Sequence, residues 1–248
     1  MKISLALSGG AVRGVAHIGV IKALEELGFE IVAVSGVSAG ALVGAFYCDR
    51  YTPEEMLKIV KSKDWLRYLK PTVPRLGLVS LRGAEKYLRE RLSGENFEDL
   101  SRKLFVGAVD IKSGKTLYFD SGSLFPALLG SCALPGIFEP VKYKNYLLVD
   151  GGITNNLPVE PLMGIEGIVV GVDVNPNTPM ERVGNIFQIL VRSFLLSVRS
   201  NVDKRKELCH VVIEPDLQGY SPLSLFKTEE IYRLGYEKTM SLMRSYVR

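Results

Sequence analysis

The chain has 248 residues and a formal net charge of +4 at pH 7, and 47% of its residues are hydrophobic and 23% are charged. This composition excludes a disordered or collagen-like chain and predicts a packed globular fold. The charge excess is small and lacks long basic runs, so a nucleic-acid partner is not indicated.

Short apolar runs alternate with helical patterns along the chain. Strands are predicted at residues 3–7, 31–34, 104–109, 115–119, 146–149, 168–174 and 211–213. Helices are predicted at residues 15–27, 39–47, 54–61, 84–92, 186–198 and 229–243. Most of the strands are apolar throughout, which is typical of parallel strands covered on both faces. The alternation predicts an α/β fold with three layers, α/β/α, around a mainly parallel central sheet.

No internal repeat or Gly/Ser-rich linker divides the sequence, and its length is within the range of a single core. We therefore predict one domain over residues 1–248, with a helical insertion at about residues 51–103. Residues 51–104 contain 12 basic and 8 acidic side chains. A solvated helical surface explains this excess, and a peripheral contact with anionic lipid is the alternative.

The most informative motif is Gly36-Val37-Ser38-Ala39-Gly40, which lies between a predicted strand and a predicted helix. A serine in a tight strand-to-helix turn exposes its hydroxyl, and the neighbouring glycines Gly36 and Gly40 prevent clashes. The helix N-terminus also favours developing negative charge. Although a serine can be an ordinary helix cap, this context favours Ser38 as a nucleophile.

A glycine-rich loop, Ser8-Gly9-Gly10-Ala11-Val12-Arg13-Gly14, follows the first predicted strand. Its backbone N–H groups can converge on an anion, and Arg13 adds positive charge nearby. In acyl transfer that anion is the oxyanion of the tetrahedral intermediate. A P-loop would require Lys-Ser/Thr after Gly14, and a dinucleotide fingerprint would require a glycine in place of Ala11, so neither nucleotide motif is matched.

The third motif is Asp150-Gly151-Gly152, directly after the predicted strand at residues 146–149. By itself this motif is typical of an Asp-Gly turn. The only histidines, His17 and His210, are poorly placed to act as a base, because the first lies in an apolar helix and the second near the start of a strand. Asp150 is therefore the predicted partner of Ser38, and a base of this kind requires a buried site that raises its pKa.

The three motifs in this order resemble those of patatin-like phospholipases, and residues 14–20, 131–140 and 150–158 resemble the flanking segments of that family. The resemblance implies hydrolysis of fatty acyl esters without a metal or other cofactor. Ser38 would be the nucleophile, Asp150 its dyad partner, and Gly9, Gly10 and Ala11 the oxyanion donors. Arg13, Gly36, Gly40, Gly151 and Gly152 would support the site. Many members have a third glycine where this chain has Ala11, which can donate its N–H if its φ stays negative.

Two other functions remain open from the sequence. One is an α/β-hydrolase triad of Ser38, Asp173 and His210, whose order along the chain matches that fold. The other is a non-catalytic module that binds a phosphate or lipid through the glycine-rich loop. The lipid head group, the acyl-chain length and the oligomeric state are not predicted.

The sequence also indicates a cellular setting. Cys48, Cys132 and Cys209 are far apart and odd in number, which favours a reducing compartment. The apolar run at residues 3–7 is too short for the core of a signal peptide. We therefore expect a cytoplasmic protein whose partner is an acyl-ester or lipid substrate, with peripheral membrane contact as an addition.

Overall fold

The computed structural model of the protein describes residues 1–72, 76–175, 184–223 and 225–247, except for the side chains of residues 187, 194, 195 and 200. The strands of this part of the chain are β1 (Lys2–Leu7), β2 (Glu30–Val37), β3 (Lys70–Pro71), β4 (Val79–Ser80), β5 (Lys103–Asp110), β6 (Lys115–Phe119), β7 (Val141–Tyr143), β8 (Tyr146–Asp150), β9 (Ile168–Val172) and β10 (Val211–Ile213). The helices are α1 (Val15–Glu26), α2 (Ala39–Cys48), α3 (Pro53–Ser62), α4 (Arg82–Arg89), α5 (Leu124–Ser131), α6 (Ile186–Lys206) and α7 (Thr228–Met243).

The central sheet is mainly parallel, as predicted. Its parallel strands follow the order β10, β9, β1, β2 and β5. Parallel strands end at the same edge of a sheet, so the loops after β1, β2 and β9 meet there. The glycine-rich loop and the serine turn are thereby brought to one edge, which we call the carboxyl edge.

The antiparallel strands β6, β7 and β8 complete the sheet around β5. Strand β2 pairs with β5 as far as Val37 opposite Gly107, and β8 pairs with the next residues of β5, with Asp150 opposite Ala108. Strand β6 pairs with residues 106–110 of β5, so it occupies the other side of that strand. Strands β2 and β8 therefore meet end to end along one side of β5.

Helices and an extended segment cover the two faces of the sheet. Leu5 and Leu7 point into the larger apolar cluster, together with residues of α1, α2, α5 and α7. Ala6 points to the opposite face, where residues 157–162 and Val202 of α6 form a second cluster. Successive side chains of a strand alternate between faces. The result is the predicted three-layer arrangement.

The structure extends several predicted elements and adds others. Strand β2 continues to Val37, and α6 continues to Lys206 instead of ending at residue 198. Helix α5 and strand β7 were not predicted, because α5 lies in a short apolar segment without a clear helical period. The predicted helical insertion contains α3 and α4 and also the short β3–β4 ribbon. Within the described ranges, no helix is long and apolar enough to cross a membrane.

Helices α1 and α7 pack closely through two glycines. A Cβ atom on Gly19 would lie 2.0 Å from the carbonyl oxygen of Tyr232, and one on Gly235 would lie 2.2 Å from that of Ala16. Backbone atoms cannot move aside as the end of a flexible side chain can. The contact therefore requires glycine at both positions.

We predict that Gly19→Ala lowers the free energy of unfolding by about 1–3 kcal/mol, the usual range for overpacking. This sign is informative because Ala normally stabilises a helix relative to Gly by about 1 kcal/mol. Urea unfolding measures the effect. Gly44→Ala is the comparator, since its Cβ would meet only side-chain atoms, at 3.0 Å. An equal effect of the two substitutions would contradict the close-packing argument.

Candidate active site

Ser38 occupies the turn between β2 and α2 in a strained backbone conformation. Its φ is 53° and its ψ is −124°, which is uncommon for a residue with a side chain. The turn is tight, since a Cβ atom on Gly36 would lie 2.6 Å from the Ala41 nitrogen and one on Gly40 would lie 2.4 Å from the Leu7 carbonyl oxygen. Both glycines are needed for this geometry, which holds the serine at the start of a helix.

Ser131, the last residue of α5, fixes the backbone of this turn. Its hydroxyl accepts a 2.8 Å hydrogen bond from the Ser38 nitrogen and donates a 2.6 Å hydrogen bond to the Gly107 carbonyl oxygen of β5. The side chain is fully buried. The strained turn is thus tied to the central strand.

Asp150, at the end of β8, lies close enough to Ser38 for the serine side chain, as a hydrogen-bonding neighbour, to lower the pKa of its carboxyl group. The carboxylate also accepts a 2.8 Å hydrogen bond from the Gly152 nitrogen, and the residue is only 3% exposed. Burial raises the pKa of Asp150 to about 6, although the hydrogen bonds from Gly152 and Ser38 act to lower it. A carboxylate with this pKa is a better proton acceptor than an ordinary aspartate and is still mostly ionised at neutral pH.

Gly151 allows the backbone after Asp150 to pass close to β2 and β5. A Cβ atom on Gly151 would lie 2.3 Å from a methyl group of Val37 and 2.5 Å from the Gly107 carbonyl oxygen. No side chain at position 151 fits against Val37 of β2 and Gly107 of β5. Gly151 and Gly152 therefore have separate roles, one by close approach and the other by its N–H.

The glycine-rich loop, with Gly9, Gly10 and Ala11, lies beside this pair. A Cβ atom on Gly9 would lie 3.1 Å from the Ser38 Cβ, which places the loop against the serine. Within the described residues none of these three N–H groups has a hydrogen-bond partner, whereas the next two donate to Pro222 and Gly10. Free N–H groups close to a serine hydroxyl are suited to stabilise an oxyanion.

Ala11 does not meet the condition of a negative φ that was set for it from the sequence, although its N–H has no hydrogen-bond partner among the described residues. Its φ is +48°, not negative, so it adopts a left-handed conformation that costs a residue with a Cβ atom about 1–2 kcal/mol. The loop keeps the geometry that a glycine would adopt at this position. Ala11 therefore adopts this conformation at an energetic cost.

Two asparagines hold the Gly9 carbonyl group. Its oxygen accepts a 2.6 Å hydrogen bond from the Asn175 side-chain amide and a 3.3 Å hydrogen bond from that of Asn156. Because a trans peptide is planar, the N–H of Gly10 points away from this carbonyl. Fixing the oxygen of Gly9 therefore also fixes the direction of the Gly10 N–H.

Arg13 and His17 anchor the loop and lie outside the Ser38–Asp150 pair. Arg13 is buried and donates a 2.8 Å hydrogen bond from Nε to the Tyr220 carbonyl oxygen. His17 is fully buried, and its Nε2 donates a 2.8 Å hydrogen bond to the Ser8 carbonyl oxygen. Burial lowers the pKa of His17 to about 4, although this hydrogen bond acts to raise it. The imidazole is therefore neutral at pH 7.

The residues of the alternative triad are not brought together. Asp173 follows β9 at the carboxyl edge, where its carboxylate lies 2.8 Å from the Lys206 ammonium and 3.6 Å from the Arg199 guanidinium. His210 precedes β10 and accepts a hydrogen bond from the Val169 nitrogen near the start of β9. These starts of parallel strands lie at the opposite edge of the sheet, away from Ser38.

Ser131, Asn156 and Asn175 are the contributors that sequence reasoning did not identify. Asn175 comes directly after the apolar run that ends in β9, and this position predicts the carboxyl edge. Ser131 and Asn156 lie within two segments, residues 131–140 and 150–158, that resemble the family, but the motifs assign neither of them a role. In the described part of the chain, no group of three His, Cys, Asp or Glu residues could hold a metal ion.

The arrangement joins a serine hydroxyl, a buried carboxylate and free backbone N–H groups at one edge of a parallel sheet. Acyl transfer uses groups of these kinds, namely a nucleophile, a proton acceptor and N–H donors to an oxyanion. The family model of the patatin-like phospholipases matches residues 5–163. The chain belongs to the patatin-like phospholipase family.

Relatives of known sequence agree with this assignment. An uncharacterized NTE family protein of Mycobacterium tuberculosis is 33% identical over 177 residues, which cover 70% of this chain and 49% of that protein. The lysophospholipase nte1 of Aspergillus fumigatus is 25% identical, over 94% of this chain and 18% of its own length. Neuropathy target esterase sws of Drosophila melanogaster is 28% identical, over 94% of this chain and 19% of its own length. The chain thus spans about half the length of the first relatives, or less.

Two solved structures share the fold. VipD from Legionella pneumophila has a TM-score of 0.56 and 16% identity, with 98% of this chain and 66% of that one covered. The type III effector protein ExoU has a TM-score of 0.51 and 15% identity, with 98% of this chain and 53% of the ExoU chain covered. At these identities the comparison supports the α/β fold and its mainly parallel sheet.

Proposed function

We propose that this protein is a serine acyl hydrolase that cleaves fatty acyl esters of phospholipids, lysophospholipids or related lipids. The observation that carries the proposal is the position of the buried carboxylate of Asp150 beside the side chain of Ser38, which lies in a tight turn at the start of a helix. Family membership and the names of two relatives, a lysophospholipase and an esterase, support a lipid ester as substrate.

In the first half of the reaction, the Ser38 oxygen attacks the ester carbonyl carbon while its proton passes to Asp150. Negative charge then develops on the carbonyl oxygen, next to the N–H groups of Gly9, Gly10 and Ala11. When the intermediate collapses, the carbon–oxygen bond to the alcohol breaks, and the alcohol leaves with the proton from Asp150. An acyl group remains on Ser38.

In the second half, water attacks the acyl-enzyme and transfers a proton to Asp150. Collapse of this second intermediate breaks the bond to Ser38, whose oxygen takes the proton back, and the fatty acid is released. Each proton transfer is assigned to a residue of this chain. The proposal therefore involves no metal cofactor.

Labelling by a fluorophosphonate probe, combined with hydrolysis of p-nitrophenyl esters of increasing chain length, tests the proposal. We expect the native protein to hydrolyse the esters and to be labelled on Ser38, while folded Ser38→Ala does neither. Ser131→Ala is the matched serine control, because its hydroxyl positions the turn without reacting, so its activity should fall but labelling of Ser38 should persist. A folded native protein that resists the probe and leaves every ester intact would favour the non-catalytic binding module.

A further inference from the structure

Two exposed apolar segments flank the glycine-rich loop. On one side lies the first half of α6, and on the other lies the loop that precedes α7. We name the exposed side chains of these segments the apolar rim, which consists of Ile186, Ile189, Leu190, Leu223 and Phe226. None of them belongs to the Ser38–Asp150 site.

The helix α6 presents one apolar face outward. Val191, Val198 and Val202 are buried, whereas Ile186 is 73% exposed and Ile189 is 52% exposed. At 3.6 residues per turn these two isoleucines lie on the face opposite to the three valines. Burying an apolar face normally stabilises a surface helix, so a helix that exposes one indicates an apolar partner.

Helix α6 is held beside the active site by its second half. Arg199 donates a 3.1 Å hydrogen bond to the Asn175 carbonyl oxygen, and Asn201 accepts one from the Asn156 nitrogen. Both asparagines also bind the Gly9 carbonyl group. With a rise of about 1.5 Å per residue, Ile189 lies about 15 Å along the helix from Arg199. The exposed half therefore extends outward from the site.

The loop before α7 lies on the other side of the glycine-rich loop. The Pro222 carbonyl oxygen accepts a 3.0 Å hydrogen bond from the Val12 nitrogen, and that of Tyr220 accepts one from Arg13. Phe226 in this loop is 90% exposed, and the Lys63 ammonium lies 5.1 Å from the centre of its ring. A phenylalanine exposed to this extent is available to a partner.

The charges around the rim have a positive excess. From Ile186 to Val202 the sequence contains Arg192 and Arg199 and no Asp or Glu, and Arg199 is paired with Asp173 and Asp203. In the other segment, Glu229 pairs with Lys61 at 2.9 Å and Glu230 with Lys227 at 3.7 Å. Lys63 lies beside Phe226 in addition to these pairs. Exposed apolar side chains among cations are typical of surfaces that insert into anionic lipid interfaces.

We propose that the apolar rim is a docking surface for bilayers that contain anionic phospholipids, and that it places the mouth of the active site on the lipid interface. The cations favour a bilayer over a second copy of the same rim, which would bring like charges together. The inference rests on the proposed function, because a lipid substrate is the reason for the active site to lie at a bilayer. Binding itself does not require turnover.

Co-sedimentation with lipid vesicles tests the inference, with Ser38→Ala as the background so that the lipid is not consumed. The vesicles contain either phosphatidylcholine alone or equal parts of phosphatidylcholine and phosphatidylserine. We expect strong binding to the mixed vesicles, weaker binding to phosphatidylcholine, and a loss of binding at high salt. Ile189→Glu and Phe226→Glu should each weaken binding by about tenfold or more, since each removes an apolar side chain that would be buried in the bilayer.

Met163→Glu is the matched control. Met163 is 56% exposed, close to the value for Ile189, but it precedes β9 and so lies near the opposite edge of the sheet. Its substitution should leave vesicle binding unchanged. In the protein with Ser38 intact, none of these three substitutions should change hydrolysis of a short soluble ester, which shows that fold and site are preserved.

Several outcomes would overturn the inference. They are absence of binding to the mixed vesicles, equal binding by the native and Glu-substituted proteins, and a native dimer that Ile189→Glu converts to a monomer without any change in vesicle binding. Failure of the proposed function has a different signature, since vesicle binding would then persist while the native protein hydrolyses no ester.

Discussion

Asp150→Asn is expected to lower kcat/KM by about 10³-fold or more, because the amide cannot accept the proton of Ser38. In the native protein, kcat/KM should rise with pH through about 6 and then level off, as the carboxylate of Asp150 becomes ionised. Hydrolysis of a short p-nitrophenyl ester between pH 4.5 and 8 measures both effects, with the pH values chosen around this pKa. A flat pH profile would exclude Asp150 as the base.

The same substitution is expected to stabilise the fold at neutral pH. The pKa of Asp150 is raised from 3.8 to about 6. The protonated carboxyl group of Asp150 therefore stabilises the fold fully below its unfolded pKa. This stabilisation is lost as the pH rises through 6. At 1.36 kcal/mol per pKa unit, the ionised carboxylate costs up to about 3 kcal/mol at pH 8. Asp150→Asn should thus raise Tm at pH 8, with little gain at pH 4.

Asp110→Asn provides a control of opposite sign. Asp110 ends β5, and hydrogen bonds from the Leu147 nitrogen and the Ser113 hydroxyl lower its pKa. Its stabilising effect is present above the unfolded pKa and is lost as the pH falls through the lower folded value. Asp110→Asn should therefore lower Tm at neutral pH and retain activity. If both variants shift Tm in the same direction, the linkage argument for Asp150 fails.

Asn175→Asp is expected to lower kcat by about 10²-fold, the usual effect of losing one oxyanion donor. An ionised aspartate is an acceptor only, so it cannot donate to the Gly9 carbonyl oxygen and instead repels it. The Gly9–Gly10 peptide then loses its fixed orientation, and with it the aim of the Gly10 N–H. Because the effect acts on the developing oxyanion, kcat should fall much more than KM rises.

Asn201→Asp is the matched control for this prediction. Asn201 lies on α6 and uses its side-chain oxygen to accept a hydrogen bond from the Asn156 nitrogen, a role that an aspartate retains. The substitution adds the same charge near the site without removing a donor. Equal losses of kcat in the two variants would show that charge alone, and not the orientation of the peptide, causes the effect. Asn156→Asp should act in the same direction as Asn175→Asp.

The local chemistry of the site is evident in the sequence because it depends on neighbouring residues. A serine between small residues, after an apolar strand and before a helix, predicts the turn at Ser38, and the structure contains that turn. The alternation of apolar strands and helices likewise predicted the three layers and the mainly parallel sheet. These features follow from steric limits and periodicities that act over a few residues.

The meeting of Ser38 with Asp150 was decided by the tertiary structure. Asp150 was predicted at the end of a strand of the sheet, but β8 runs antiparallel to β5 and reaches the site from the opposite direction. Strand β8 pairs with β5 so that Asp150 lies beside Ala108, and β2 pairs with β5 so that Val37 lies beside Gly107. Both registers are set by pairing between distant segments of the chain. No periodicity within either segment specifies that pairing.

Burial and long-range hydrogen bonds determined the pKa of Asp150 and the conformation of the glycine-rich loop. The raised pKa of Asp150 was expected in direction, but its value depends on how completely the folded chain excludes water. The sequence left the backbone conformation of Ala11 open, and the neighbouring structure holds its φ at +48° against the preference of an alanine for negative φ. Asn175 and Asn156 are far from Gly9 in sequence, and only folding brings their amides to its carbonyl oxygen. Sequence thus determined the candidate reactive groups, and tertiary packing determined their alignment and the pKa of Asp150.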